Sequence, residues 1–413
     1  MPERAILHID MNNFYASVEC MLNPELKPYP VAVCGSQEER HGIVLAKNCA
    51  AKAKGVRTGE AIWQARQKCP DLVIVPPHYE QYMRFSKLAR EIYGRYTDLV
   101  EPFGMDEVWL DLTGSQRVMG TPWQMAEEIK ETVKYELGLT VSIGVSFNKI
   151  FAKLGSDMKK PDAITVIPKE TFREQIWNLP ASDMLGVGRA TEKKLSSMGI
   201  QTIGEIARSP ADFFRRMFGK CGVDLWRFAN GLDASPVTVR DIEAPDKSVG
   251  HGMTAVRDLE TPAEVWTFIL ELCQDIGHRL YVFNKKATGV ALAVRDNRLF
   301  TKQWQCGLPV PTQSPSRIAK AAFSLFTRGY EWKQPVRSLT VRAINLTSLD
   351  TPCQLDLFTD PVKVAKEESL DRTIEELRSR FGKKIIRSAC LLDNKKTPTQ
   401  DNPNIIMPTG IPM

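Results

Sequence analysis

Several features are missing or scarce in this chain of 413 residues, and each omission narrows what it can be. No stretch approaches the ~20 consecutive apolar residues of a membrane span. The opening Met1-Pro-Glu-Arg4 runs at once into an apolar strand, not into the pattern of a secretory leader, so a cytoplasmic protein without membrane contact is expected. Its five histidines are dispersed, which argues against a His-ligated metal. The nine cysteines stand singly, with no Cys-x-x-Cys pair, and an odd number without a framework reads as reduced thiols rather than disulfides or zinc. No internal repeat is visible.

What is present is ordinary in amount and uneven in place. A 43% apolar, 25% charged composition is that of a globular protein, and the length suggests two to four domains. The net charge is only +6, yet residues 247–350 alone hold 14 Lys/Arg against 8 Asp/Glu. So local a basic excess suits a polyanion such as nucleic acid, although a solvated basic surface would look the same on charge alone.

Periodicity gives the organisation. Strands are expected at 5–10, 30–34, 42–46 and 140–145, with helices at 12–21, 50–54, 62–68, 79–96 and near 122–137. An acidic hairpin spans 102–112. Short helices broken by Gly and Pro follow over about 170–238, then an exposed linker at 239–246. Strands at 248–257, 288–295, 301–306 and 338–346, with helices at 262–282 and 315–329, make a second α+β unit. Residues 367–393 read as a helix without an evident partner, and the polar, Pro-rich tail from 392 as lacking fixed structure.

Three carboxylates carry the chemistry. Asp10 closes the strand Ala5-Ile-Leu-His-Ile-Asp10, and Asp106 and Glu107 lie in Pro102-Phe-Gly-Met-Asp-Glu-Val-Trp-Leu-Asp111. Neighbours on a regular strand point to opposite faces, but a turn lifts that restriction, and Gly104 supplies the freedom for one. Three such acids at two strand ends form a hard oxygen site suited to two Mg²⁺ ions, with Mn²⁺ able to substitute. Taken alone, paired acids are more often solvated turn residues. His8, two residues before Asp10 on the same face, is read as a plain strand residue.

Two further segments change that balance: Asp10-Met-Asn-Asn-Phe-Tyr-Ala-Ser-Val-Glu19, and Ser146-Phe-Asn-Lys-Ile-Phe-Ala-Lys-Leu-Gly-Ser-Asp-Met-Lys-Lys-Pro161. With the acidic hairpin, Leu185-Gly-Val-Gly188 and Lys247-Ser-Val-Gly-His-Gly-Met-Thr254, they closely resemble, in order and spacing over about residues 4–360, the Y-family (DinB/UmuC superfamily) translesion DNA polymerases. The resemblance implies an α+β right-hand polymerase: an α/β palm from 1–10 and 80–168, small fingers from 11–79, a helical thumb with a helix–hairpin–helix from 169–238, an α+β little finger from 247–350 after the 239–246 linker, and a tail from 351–413. It implies low-fidelity, template-directed DNA synthesis by a monomer acting on primer–template DNA and dNTPs.

Position by position, the resemblance makes Asp10, Asp106 and Glu107 metal ligands, with the Met11 backbone carbonyl as a fourth. Tyr15 matches the aromatic gate that rejects a ribose 2′-OH by clash. Phe14 is the weaker candidate for that role and is expected to pack inward. Backbone N–H groups around Asn13, Phe14 and Tyr15, at a helix start, would hold β- and γ-phosphates. Lys160 matches a phosphate-binding lysine. Cys49 and Lys52 stand where the commoner pattern is Asn-Tyr-x-Ala-Arg, so the phenolic donor and the guanidinium fork are both replaced, as in the UmuC-like branch. Gly186 and Gly188, helped by Lys193 or Lys194, would offer N–H groups to a DNA phosphate, and Arg257, Arg295, Arg298 and Arg342 would lie along the backbone of the duplex. In Gln354-Leu-Asp-Leu-Phe358 the anchors Gln354, Leu355, Leu357 and Phe358 resemble the peptide that docks on the bacterial sliding clamp. No second carboxylate set stands apart for excision, so no proofreading is expected.

Two other readings share parts of this pattern. A nucleotidyl cyclase has a similar metal site but no use for Tyr15, the helix–hairpin–helix, the basic unit or the clamp peptide. A non-catalytic DNA-binding factor could keep the fold, and the intact acidic set argues against it.

Overall fold

The structure, a computed structural model, describes residues 3–40, 42–239, 246–352, 360–383, 385–392 and 396–398. Most of the expected linker and the whole of Gln354–Phe358 lie outside these residues. Two compact units divide the chain near residue 244.

In the first unit β1 (Ile6–Met11) leads into α1 (Phe14–Leu22), followed by β2 (Val31–Cys34), β3 (Val44–Lys47), α2 (Cys49–Ala53), α3 (Ile62–Lys68) and β4 (Val73–Val75). Next come α4 (Tyr79–Tyr93), β5 (Val100–Pro102), β6 (Glu107–Asp111), α5 (Gln116–Met119), α6 (Pro122–Leu137), β7 (Val141–Ser146), α7 (Lys149–Met158) and β8 (Ile164–Ile167). Short helices then follow: α8 (Phe172–Ile176), α9 (Arg189–Ser197), α10 (Ile203–Arg208) and α11 (Ala211–Ala229), the last broken at Gly219.

The main sheet has the order β5-β6-β1-β7-β8, antiparallel except for β7 beside β8. β1 runs through its middle and is buried along its whole length. Strand alternation splits its side chains. Leu7, Ile9 and Met11 enter one core with Ile92 and Tyr93 of α4 and Met125 and Val133 of α6. Ile6, His8 and Asp10 take the other face, against which α7 packs. That packing needs glycine at 144, since a Cβ there would lie 1.9 Å from the Ala152 carbonyl oxygen. A second, three-stranded sheet has the order β3-β2-β4.

The second unit contains β9 (Ser248–Leu259), α12 (Pro262–Val282), β10 (Lys285–Asp296), β11 (Thr301–Thr312), α13 (Pro315–Gly329), β12 (Val336–Ser348) and α14 (Pro361–Phe381). Its antiparallel sheet runs β11-β10-β12-β9, and Val290, Leu292, Val294, Leu339 and Val341 pack on α12 and α13. Both units mix helix and sheet, as the α+β expectation requires. Helix starts follow local chemistry: Thr121 and Thr261 each cap a helix that has Pro at its first position, with Gln124 and Glu264 closing the box.

The differences from expectation have local causes. β11 continues six residues past Cys306 through Pro309 and Pro311. It is the edge strand, where proline costs no ladder bond on the open side. The C-terminal helix expected over 367–393 instead spans Pro361–Phe381. Asp360 caps it by accepting from the Val362 and Lys363 N–H groups, and Gly382, at φ 92°, ends it. The partner of this helix is the helical layer of its own unit: Glu375 meets His278, Arg378 donates to Gln274 at 2.7 Å, and Arg317 pairs with Glu367 at 2.7 Å.

Candidate active site

Asp10 and Glu107 face each other across β1 and β6, and the Met11 N–H donates to the Asp106 carbonyl at 3.0 Å, joining the end of β1 to the turn before β6. Gly104 makes that turn at φ 97°. The three expected ligands are therefore neighbours at two adjacent strand ends. Their side chains are not splayed toward an open centre, however. Among the described residues no three His, Cys, Asp or Glu side chains converge as a ready ligand set. Two lysines stand there instead. Lys153 Nζ lies 2.7 Å from Glu107 Oε2, 3.5 Å from Asp10 Oδ2 and 3.1 Å from Asp157 Oδ2. Lys160 Nζ lies 2.8 Å from Asp10 Oδ2 and 2.9 Å from Asp157 Oδ1.

The electrostatics follow from that crowding. Burial, then the charges of Asp10 and Glu107, push the Asp106 carboxyl up to about 7. Burial also raises Asp10, which Glu107 reinforces and Lys160 opposes. Burial works the same way on Glu107, but His8 and Lys153 reverse it and hold this carboxyl at about 2. The Asp106 carboxyl, lifted by burial and by two like charges, is one that lacks positive charge. Glu107 Oε2 is buried without a hydrogen-bond partner of good geometry, as is His8 Nε2 3.2 Å away. Three carboxylates crowded at two strand ends, with two ammoniums as their present counter-charges, fit hard divalent cations by the chemistry of the donor set.

His8 is not the plain strand residue expected. It is fully buried, its Nδ1 is 2.8 Å from Ser156 Oγ, and its edge meets Trp109. Burial lowers its pKa to about 4. Ser156, Lys153 and Asp157 all belong to this site and were missed from sequence. The available signal was the spacing Lys153, Asp157, Lys160, which places three charges along one side of a helix and its exit.

Around the acids, the expected nucleotide residues divide. Tyr15 stacks on Tyr82, ring centroids 4.2 Å apart and planes at 9°, and its hydroxyl donates to Met105 Sδ at 3.5 Å, beside Asp106. Burial pushes its phenol up to about 12. Phe14 packs inward as expected: its side chain is buried in the core, and its backbone remains available to a ligand. Asn13 begins α1 in a left-handed conformation, φ 50°, with no side chain capping the helix. Its amide instead reaches Cys49 Sγ at 3.2 Å, which brings two expected residues together. Lys52, exposed on α2, adds to burial in lowering the pKa of Lys47. Asn12 uses both ends of its amide, donating to Ser142 Oγ at 2.8 Å and accepting from the Asp162 N–H at 2.9 Å.

The expected DNA contacts divide too. Gly186, at φ 93°, and Gly188, the N-cap of α9, form the bend between the single 3-10 turn Ala181–Asp183 and α9, and α10 follows α9. Lys193 is exposed there. Lys194 is exposed too, with its ammonium bonded to the Met217 carbonyl and 4.5 Å over the Phe218 ring. In the second unit the sheet face without helices carries cross-strand rows Gln305–Ala291–Arg342–Gly250, Gln303–Ala293–Thr340–Gly252 and Thr301–Arg295–Ser338–Thr254. Arg295 and Arg342 thus share a face of otherwise small or neutral polar residues, open to close approach by a polyanion. Arg298 is exposed in the adjoining turn. Arg257 is exposed but lies in the irregular stretch of β9 outside these rows.

The model of the impB/mucB/samB family matches residues 9–157, the model of that family's C-terminal domain matches 246–357, and one described as "DNA polymerase-iota, thumb domain" matches 182–233. The chain is similar to DNA polymerase IV of Acetivibrio thermocellus, 49% identical over 95% of this chain and 98% of that one. It is also similar to DNA polymerase IV 2 of Bacillus subtilis, 37% identical over 95% of each. Among solved structures, a Y-family DNA polymerase chimera shares the fold at a TM-score of 0.73 and 22% identity, covering 83% of this chain and 99% of that chain.

Proposed function

This chain belongs to the impB/mucB/samB family, the Y-family DNA polymerases, and from that premise we infer that it is a DNA-directed DNA polymerase, adding dNTPs to a primer 3′-OH and copying past damaged template at low fidelity without proofreading. The observation that carries the reading is the meeting of Asp10, Asp106 and Glu107 at two neighbouring strand ends beside an uncapped helix start and two lysines. We assign palm to 1–10 and 80–168, fingers to 11–79, thumb to 169–238 and little finger to 247–350.

Asp10, Asp106, Glu107 and the Met11 carbonyl would hold two divalent cations, Mg²⁺ or Mn²⁺. When bound, these supply acidification of the primer 3′-OH and charge neutralisation of the departing pyrophosphate. The protein's own groups do the rest. The free N–H groups at the start of α1 and the Lys52 and Lys160 ammoniums bind the triphosphate. Tyr15, braced flat against Tyr82, occupies the space a ribose 2′-OH would need. The bend at Gly186–Gly188, with Lys193, holds backbone phosphates without reading sequence, as do Arg295 and Arg342 on the open sheet face.

Recruitment is assigned to Gln354–Phe358 on its sequence alone, docking on the bacterial sliding clamp. The enzyme acts as a cytoplasmic monomer; among the described residues no helix is long and apolar enough to cross a membrane. The test is primer extension on undamaged and abasic templates with Mg²⁺, wild type against Asp106→Asn. Extension by the wild type that is lost in the variant supports the assignment. Equal extension by both removes Asp106 from the chemistry.

A further inference from the structure

We propose that Lys153 is a positioning residue that serves as the resident counter-cation of the carboxylate site, and that Asp157 is the acceptor to which it is released, so that the full complement of divalent metal enters with the triphosphate rather than alone. This rests on the reading of Asp10, Asp106 and Glu107 as metal ligands.

The geometry is one ammonium among three carboxylates. Lys153 is only 13% exposed and contacts Glu107, Asp157 and Asp10 within 2.7–3.5 Å. It stands between the two acids that face each other across β1 and β6, which accounts for the absence of a converged ligand set. Charge balance makes its position conditional. Asp10, Asp106, Glu107 and Asp157 bring four negative charges when ionised, and Lys153 and Lys160 bring two positive. One divalent cation beside both ammoniums balances that charge, but a second would leave the pocket with excess positive charge, a costly state at low dielectric. A triphosphate corrects it; metal alone does not.

The backbone of α7 cannot make room. It is held against β7 by the contact at Gly144, by the capping of Asn148 and by the Ser156–His8 bond. A lysine side chain can move. Asp157 is one helical turn from Lys153, 44% exposed, and already bonded to both lysines. It can keep Lys153 after the acids are taken up, and it leaves Lys160 free to follow the phosphates. Asp157 therefore helps metal binding without itself being a ligand, whereas Lys153 opposes metal in the absence of nucleotide. The two side chains have opposite signs.

The experiment titrates the full-length chain with Mn²⁺ and reads free Mn²⁺ by electron paramagnetic resonance, without DNA, with and without a non-hydrolysable dNTP analogue. Lys153→Gln should tighten binding of Mn²⁺ alone by roughly tenfold, the scale of one lost charge-assisted contact. Asp157→Asn should weaken it several-fold, Asp157→Glu should restore it, and the analogue should reduce all these differences. Asp157 is half exposed, so its variant tests the idea even if Lys153→Gln folds poorly. Shifts of the same sign, or Asp157→Asn within twofold of wild type, would overturn the proposal. Absence of saturable Mn²⁺ binding by the wild type even with the analogue would overturn the metal-site reading beneath it, which separates the two failures.

Discussion

Replacing Asp106 by asparagine should abolish polymerisation and at the same time stabilise the metal-free protein. Asp106 sits in a partly buried turn beside Asp10 and Glu107, and its carboxyl is raised from 3.8 to about 7. Each unit of such a shift is worth about 1.4 kcal/mol, so the ionised carboxylate is destabilised by at most about 4 kcal/mol relative to the unfolded chain. Water entry and side-chain relaxation reduce that to roughly 1–2 kcal/mol in practice. Because the folded value lies above the unfolded one, the folded state holds a proton the unfolded state has lost. Below about pH 4 both states are protonated and nothing is lost. As pH rises toward 7 the wild type forfeits this contribution, and above 7 the full penalty is present. Asparagine never ionises and keeps the side-chain volume. In EDTA, thermal melts should therefore show the variant roughly 2–6 °C more stable at pH 8 and equal to wild type near pH 4, the usual scale for a unit of this size. Added divalent metal should stabilise the wild type and narrow the gap. A variant less stable than wild type at pH 8 in EDTA would refute the claim that burial and like-charge crowding disfavour the ionised Asp106.

Tyr15→Ala should admit ribonucleoside triphosphates, cutting sugar discrimination by roughly tenfold or more in single-nucleotide insertion assays; undiminished discrimination removes the gate role. Gly144→Ala drives a methyl into the Ala152 carbonyl, a backbone obstacle, and should cost about 3 kcal/mol in urea melts together with loss of extension as α7 is displaced. An unchanged midpoint would mean that α7 can retreat freely. Leu357→Ala with Phe358→Ala should keep basal extension and lose stimulation by the sliding clamp. Stimulation that survives in this double variant sinks the docking assignment.

Sequence alone determined the outline. Hydrophobic period marked β1, β7 and the long helices, since burying one face or two leaves a pattern in the order of residues. The Thr-Pro starts before Gln124 and Glu264 marked where two helices begin, a purely local matter of capping. Asp10, Asp106 and Glu107 were legible because their motifs keep fixed spacing. Tertiary structure decided the rest. Nothing local says that His8 will meet Glu107, or that Lys153 and Lys160 will stand on the acids, because those contacts join residues about 100 to 150 positions apart. The choice between Lys193 and Lys194 was open in the sequence for the same reason: the Met217 carbonyl that takes the Lys194 ammonium lies 23 residues further along the chain. The short distance between β7 and α7 that assembles the site depends on a glycine whose neighbour across the gap is set only when the sheet closes. Local sequence determined which groups carry charge, and the packing of α7 on the sheet determined which of those charges meet.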